Sequence, residues 1–207
     1  MNQASNRSTS QLAAPAILVA LMVLGGCAKG GKSPDTTAIA AAPTSTTSAP
    51  ATAAPTQTAA PTGDADHNFL RMMSDHHKGL IDIVHMTIDQ KDAGIAVADA
   101  KKLDDAQDKE LDQMVTMLEK SYKDPYEPKI VPEHQSMVDD LKAKSGKGYE
   151  LAFYNDIIKH HEEAIAMIDA YLPGAKSPVV KQMATDMKAA QTREITDFKA
   201  KAAKLGA

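Results

Sequence analysis

The chain has 207 residues, 43% of them hydrophobic, a formal net charge of −4 and no Trp. With 4% aromatic content a core has to be built from Leu, Ile, Val, Ala and Met, and this length suits one helical bundle or two small domains. Acidic and basic residues are interspersed with no basic stripe, which argues against nucleic acid as a partner.

Residues 1–26 read as a lipoprotein signal peptide. Arg7 and the amino terminus supply positive charge, and the apolar run from Leu12 to Leu24, interrupted by Pro15, is too short to span a bilayer comfortably. It ends in Leu24-Gly25-Gly26-Cys27. This resembles the bacterial lipobox, where small residues admit the processing peptidase and the Cys receives the lipid. Lipidation of Cys27 implies a protein anchored to a membrane of the cell envelope, at the periplasmic face or the cell surface. An ordinary secretory signal with a stray Cys is the alternative. Cys27 is the only cysteine, so the mature domain can form no internal disulfide and no Cys-based metal or redox centre.

Residues 27–63 continue as lipidated Cys and linker, almost wholly Ala, Pro, Thr, Ser and Gly beyond Lys29 and Lys32. Such a composition buries too little apolar surface to offset its ordering entropy. As a flexible coil the segment would reach roughly 30 to 36 Å, and about 110 Å if held extended. It is expected to tether a folded domain over 64–207.

From Gly63 the pattern becomes helical. Asp64 or Asp66 can cap a first helix running to about Gln90, with Phe69, Met73, Leu80, Val84 and Ile88 at helical spacing. Gly94 breaks it. A second stripe of Ala96, Ala100, Leu103, Leu111, Met114 and Leu118 predicts a helix ending near Tyr122, before Pro125, Pro128 and Pro132. A shorter helix is expected around Glu133 to Ala143, closed by Ser145-Gly146-Lys147-Gly148. Helices over about Tyr149 to Tyr171 and Ser177 to Lys204 follow, separated by Pro173-Gly174. No strand pattern is present.

One stretch occurs twice. Phe69 is followed seven positions later by His76-His77, and Phe153 by His160-His161, an offset of 84 residues. Gln107 and Glu110 recur at the same offset as Gln191 and Glu194. A duplicated helix pair is therefore expected, one copy over about 64–122 and the other over about 148–206.

On a helical projection His76 and His77 flank the centre of the apolar stripe of the first helix, as His160 and His161 do on its counterpart. His67 and His85 fall among solvated positions. Adjacent imidazoles on an apolar face are costly to bury unless each ring nitrogen has a partner. Gln107 lies inside the apolar stripe of the second helix with Glu110 at its edge, and Gln191 and Glu194 repeat this. Two readings stand. In one, these groups form a buried polar network that fixes helix register. In the other, neutral imidazoles bind a metal, with Gln107, Glu110, Gln191 and Glu194 supporting them.

Met72 lies four residues before His76 and Met73 four before His77, so each pair shares a helix face. Imidazole with thioether suits Cu(I) or a similarly soft ion, and copper is the cofactor this donor set points to. Methionines that simply fill an aromatic-poor core are the alternative, and the better account of Met114, Met183 and Met187. A ferritin-type di-iron site needs Glu three residues before His. Met73, Ser74, Ile157 and Ile158 occupy those positions.

The segments His76 to Asp82 and His160 to Met167, each followed by a Gln-x-x-Glu-Leu/Ile helix, resemble bacterial domain-of-unknown-function family 305. The resemblance covers about Asp64 to Leu205. It implies an exported, ferritin-like domain, an antiparallel four-helix bundle built of two helix pairs, and some members are associated with copper binding or tolerance. Many members carry Met after the first His-His motif, where this chain has Ile83; Met167 keeps it in the second copy and joins the implied ligands.

The resulting expectation is an all-α lipoprotein whose metal ligands are His76, His77, His160, His161, Met72, Met73 and Met167. Its function would be copper binding or homeostasis in the envelope, without catalysis. The alternatives are a structural or partner-binding lipoprotein whose histidines only satisfy its core, and a di-metal envelope oxidoreductase. A protein partner and a homo-oligomer stay open.

Overall fold

The computed structural model describes residues 62–207. Among them there are five α-helices and one 3₁₀ turn, and no strand: α1 (Ala65–Asp89), α2 (Ala96–Tyr122), α3 (Pro132–Lys142), α4 (Gly146–Tyr171), the turn Leu172–Gly174 and α5 (Pro178–Gly206). The expected signal peptide, Cys27 and linker lie outside the described residues, apart from the linker's last two.

The helix ends follow from local chemistry. Asp64 caps α1 by accepting from the backbone N–H of His67 at 2.9 Å, as a short acidic side chain does for a free N-terminal donor. Ser177 caps α5 in the same way through Val180 N–H. After α2 the chain turns at Lys123, which takes a left-handed φ of 56°, and Asp124 N–H returns to the Leu118 carbonyl at 3.0 Å. One boundary differs from expectation. The glycines at 146 and 148 belong to α4 rather than to a loop, because Tyr149 N–H closes the first turn onto Ser145 O at 3.2 Å; at a helix end the entropic cost of Gly is small.

Helix α1 packs along α2, α4 along α5, and α1 also packs on α4. Cross-helix bonds set the direction of the α1/α4 pair. At the start of α1, Asp66 accepts from Tyr171 at the end of α4 (2.6 Å). At the other end, Thr87 and the Tyr149 hydroxyl share a hydrogen bond of 2.8 Å. Two apolar clusters fill the interior. Leu80, Ile83, Val84, Leu103, Leu141, Tyr149 and Phe153 belong to one, and Phe69, Met73, Met114, Leu118, Met167 and Ile168 to the other.

The connection between α2 and α3 is pinned to α1 beside the paired histidines. Asp75 accepts from the Tyr126 hydroxyl (2.7 Å) and from Lys129 N–H (2.8 Å), and Asp124 accepts from Arg71 (2.6 Å). His67 is not a solvated residue as expected. It sits 2.8 Å from Asp124 and stacks on Tyr122 with ring centroids 4.5 Å apart, because the end of α2 folds back over the start of α1. His85 is exposed and pairs with Asp104.

Candidate metal centre

The four paired histidines are all buried, but they divide into two kinds. His77 is fully partnered. Its Nδ1 lies 3.0 Å from the Met73 carbonyl and its Nε2 lies 2.9 Å from Glu110. The backbone oxygen can only accept, so Nδ1 carries the proton. At the position 84 residues on, His161 Nε2 lies 2.8 Å from Glu194, which stands 84 residues after Glu110; the contact angle falls short of hydrogen-bond geometry. Both carboxylates are partly exposed, so these pairs face outward.

His76 and His160 turn inward and meet, with ring centroids 3.7 Å apart. A third imidazole joins them from α3, His134, at 4.8 Å from His76 and 4.6 Å from His160. Each residue offers a ring nitrogen, and the three lie within 4.8 Å of one another. The side chains of His134 and His160 are wholly buried, and His76 is 1% exposed.

Very few of these nitrogens have a partner. His160 Nε2 donates to the His76 carbonyl at 2.9 Å, which leaves its Nδ1 as the lone-pair nitrogen. That atom and both ring nitrogens of His76 and of His134 are buried with no hydrogen bond. Beside them Glu163 Oε2, also buried and unpartnered, stands 3.6 Å from His134 Nε2 and 4.0 Å from His76 Nε2. Burial first, and then the neighbouring imidazoles of His134, His77 and His161, hold His76 well below the usual imidazole pKa. Burial and the rings of His76, His134 and His161 do the same to His160, against the smaller opposing effect of its backbone bond. Both are therefore neutral near pH 7, the form that coordinates metal.

His134 reaches this place through a gap in α1. A Cβ on Gly79 would stand 2.1 Å from His134 Nδ1 and 2.7 Å from His134 Cβ, so only glycine admits the ring at that height. The position 84 residues later is Glu163.

The other expected residues are placed as follows. Met73 and Met167 are buried in the second apolar cluster and Met72 packs against it; Met72 and Met167 line one shallow cleft with Phe69 and Tyr171. Gln107 and Gln191 are buried, and neither Gln107 Oε1 nor the Gln191 amide has a partner. Sequence reasoning missed His134 and Glu163. His134 falls on the stripe Val131, His134, Val138 and Leu141, at helical spacing. Glu163 follows His160 by three residues, the reverse of the order sought for a di-iron motif, and shares its helix face equally well.

The family model described as domain of unknown function (DUF305) matches residues 28–118 and 66–202. Among solved structures, a DUF305 fragment from Deinococcus radiodurans is 24% identical with a TM-score of 0.59, covering 70% of this chain and 99% of that one. A DUF305 protein from Streptomyces coelicolor is 21% identical at a TM-score of 0.61, covering 70% and 94%. CopM in its Cu(II)-bound form is 22% identical at 0.59, covering 67% and 96%, and CopM is also found in a Cu(I)-bound form. No curated protein matches. These identities speak for the fold alone, while the family match over 66–202 runs from the first turn of α1 almost to the end of α5: the chain is a member of the DUF305 family.

Proposed function

We propose that this protein binds copper in the cell envelope, on a helical domain tethered to a membrane by lipid on Cys27. The observation that carries the reading is the convergence of His76, His134 and His160, fully buried, with five ring nitrogens lacking partners. A buried polar group without a partner costs about 1–3 kcal/mol, and an apolar core at this place would avoid that cost. Neutral imidazoles suit copper, so the residues present fit the ion that the similar CopM structures hold. His76, His134 and His160 would hold it. The bound ion would supply Lewis acidity and the two oxidation states of copper, and no further chemistry is assigned to the chain.

In this reading α1, α2, α4 and α5 make an antiparallel, ferritin-like four-helix bundle from two copies of one helix pair. The outward pairs His77 with Glu110 and His161 with Glu194 support the duplication, as does the end-to-end pairing of α1 with α4. The thioethers of Met72, Met73 and Met167 add donors that Cu(I) favours. Glu110 and Glu194, which meet His77 and His161, support those histidines, and residues 27–63 hold the domain away from the membrane.

The test is the stability of the purified protein with and without copper. A ligand held only by the folded state at a hundredfold excess over Kd stabilises it by about 2.7 kcal/mol. Changing His76 and His160 together to Gln should remove most of that increment. If the histidines served the core alone, the double variant would lose stability without metal and leave any copper effect unchanged.

A further inference from the structure

Glu163 has one oxygen aimed at solvent-side chemistry and one aimed at the imidazoles. Oε1 is 3.8 Å from Lys159 Nζ. Oε2 has no hydrogen-bond donor, lies 3.6 Å from His134 Nε2 and 4.0 Å from His76 Nε2, and belongs to a residue only 9% exposed. Four ligands at about 2.0–2.1 Å from one ion stand about 3.3 Å apart when tetrahedral, so small side-chain adjustments bring this oxygen into a shared shell.

The two positions 84 residues apart divide the work. Gly79 leaves the gap that admits His134, and Glu163 brings a negative oxygen to the other side of the same ring. A glycine at 163 would leave the three imidazoles without an anionic oxygen beside them; a glutamate at 79 would close the gap. We propose that Glu163 completes a four-donor centre with His76, His134 and His160, and that this centre takes a divalent cation, Cu2+ or Zn2+, in preference to Cu+. This rests on the metal-binding reading above and deepens it. Imidazole is common to all three ions, whereas an anionic oxygen favours the harder dication over soft Cu+.

The experiment uses the purified protein and its Glu163→Gln variant, with chelator competition for Zn2+ and Cu2+ in air and for Cu+ under reductant without oxygen. Glu163→Gln keeps size and polarity and removes the charge. We expect Zn2+ and Cu2+ to bind on the order of 100-fold more weakly, with Cu+ changed by less than about threefold. The Cu2+ electron paramagnetic resonance spectrum should show nitrogen couplings in both proteins and shift between them as oxygen is lost. Thermal unfolding without metal controls for folding: the substitution removes a charge whose inward oxygen is buried without a hydrogen bond and gives up only the 3.8 Å contact with the exposed Lys159, so the variant should be about as stable as the parent. Equal weakening of Cu+ and Cu2+ would overturn the preference for dications. Unchanged affinity for all three ions, with binding still abolished by His76→Gln and His160→Gln, would remove Glu163 from the centre and leave the copper reading standing. A parent protein that binds none of the ions would overturn both.

Discussion

Replacing Gly79 by Ala would perturb the proposed metal centre without removing a donor. In a helix interior the change ordinarily stabilises by about 0.5–1 kcal/mol, since Ala loses less backbone freedom than Gly. Here the added Cβ meets His134 Nδ1 at 2.1 Å, Cγ at 2.6 Å and Cβ at 2.7 Å. Carbon atoms in contact sit about 3.5–4.0 Å apart, so the imidazole must retreat by roughly 1 Å. Because His134 Cβ is itself among the crowded atoms, a change of rotamer does not relieve the overlap and α3 has to move with the ring. Overpacking of this kind costs about 1–3 kcal/mol, so the metal-free protein should lie between unchanged and about 2.5 kcal/mol less stable. The larger effect falls on the ion. If displacement of one imidazole weakens binding about 100-fold, copper at a hundredfold excess over the parent Kd stabilises the parent by about 2.7 kcal/mol and the variant by about 0.4 kcal/mol. For a chain of this size the difference amounts to about 5–9 °C in Tm, well resolved by calorimetry. Gly148→Ala is the control, as a Cβ there meets nothing within 4 Å. A Gly79→Ala protein that keeps the full copper increment would remove His134 from the centre.

Acid should destabilise the metal-free protein from an unusually high pH. His76 and His160 resist protonation in the fold, through burial and then the adjacent imidazoles, but accept protons once unfolded, at about pH 6.5. The unfolded state therefore binds more protons below that value, and stability falls with falling pH by up to about 1.4 kcal/mol per unit for each histidine. Urea unfolding at pH 7.5 and 5.5 measures the slope, and the His76→Gln, His160→Gln protein should show a flatter one; equal slopes would contradict the assignment. For the anchor, Cys27→Ser should move the protein from the membrane fraction to a soluble or unprocessed pool, because a lipid chain is lost and no described helix is apolar enough to cross a bilayer. Fractionation that leaves the variant in the membrane would count against the lipobox.

Much of the helical architecture was readable because each helix carries its own punctuation. Asp64, Gly94, the prolines after Tyr122 and Ser177 mark ends that backbone chemistry imposes locally, and the stripe of Phe69, Met73, Leu80 and Val84 marks the buried face of α1. The paired histidines were readable as buried for the same reason. The third imidazole was not, because its role depends on the meeting of α3 with α1, a contact that the short helix expected around Glu133 to Ala143 does not announce in its own sequence. Gly79 carried the only local sign, a helix-weakening residue in the middle of a long helix, with its reason on another element. Glu163 was hidden by asymmetry: a duplicated motif directs attention to what the copies share, and the carboxylate occurs where they differ.

The division between the two kinds of histidine bears on the rival structural reading. A buried polar network that sets helix register has to be satisfied by its own members, since a half-satisfied network is worse than an apolar one. His77 with Glu110 meets that requirement, and its partners come from α1 and α2, so this pair can fix how those helices slide against each other. His161 with Glu194 is placed to do likewise for α4 and α5. The inner imidazoles do not meet it. They come from α1, α3 and α4, they leave five ring nitrogens and a carboxylate oxygen unpaired, and they draw α3 into a gap that costs α1 a helix-forming residue. Register is served by the hydrogen-bonded pair of His77 and Glu110 without any of this, so the inner cluster is better explained by the proposed ligand, a single cation that all four donors can share.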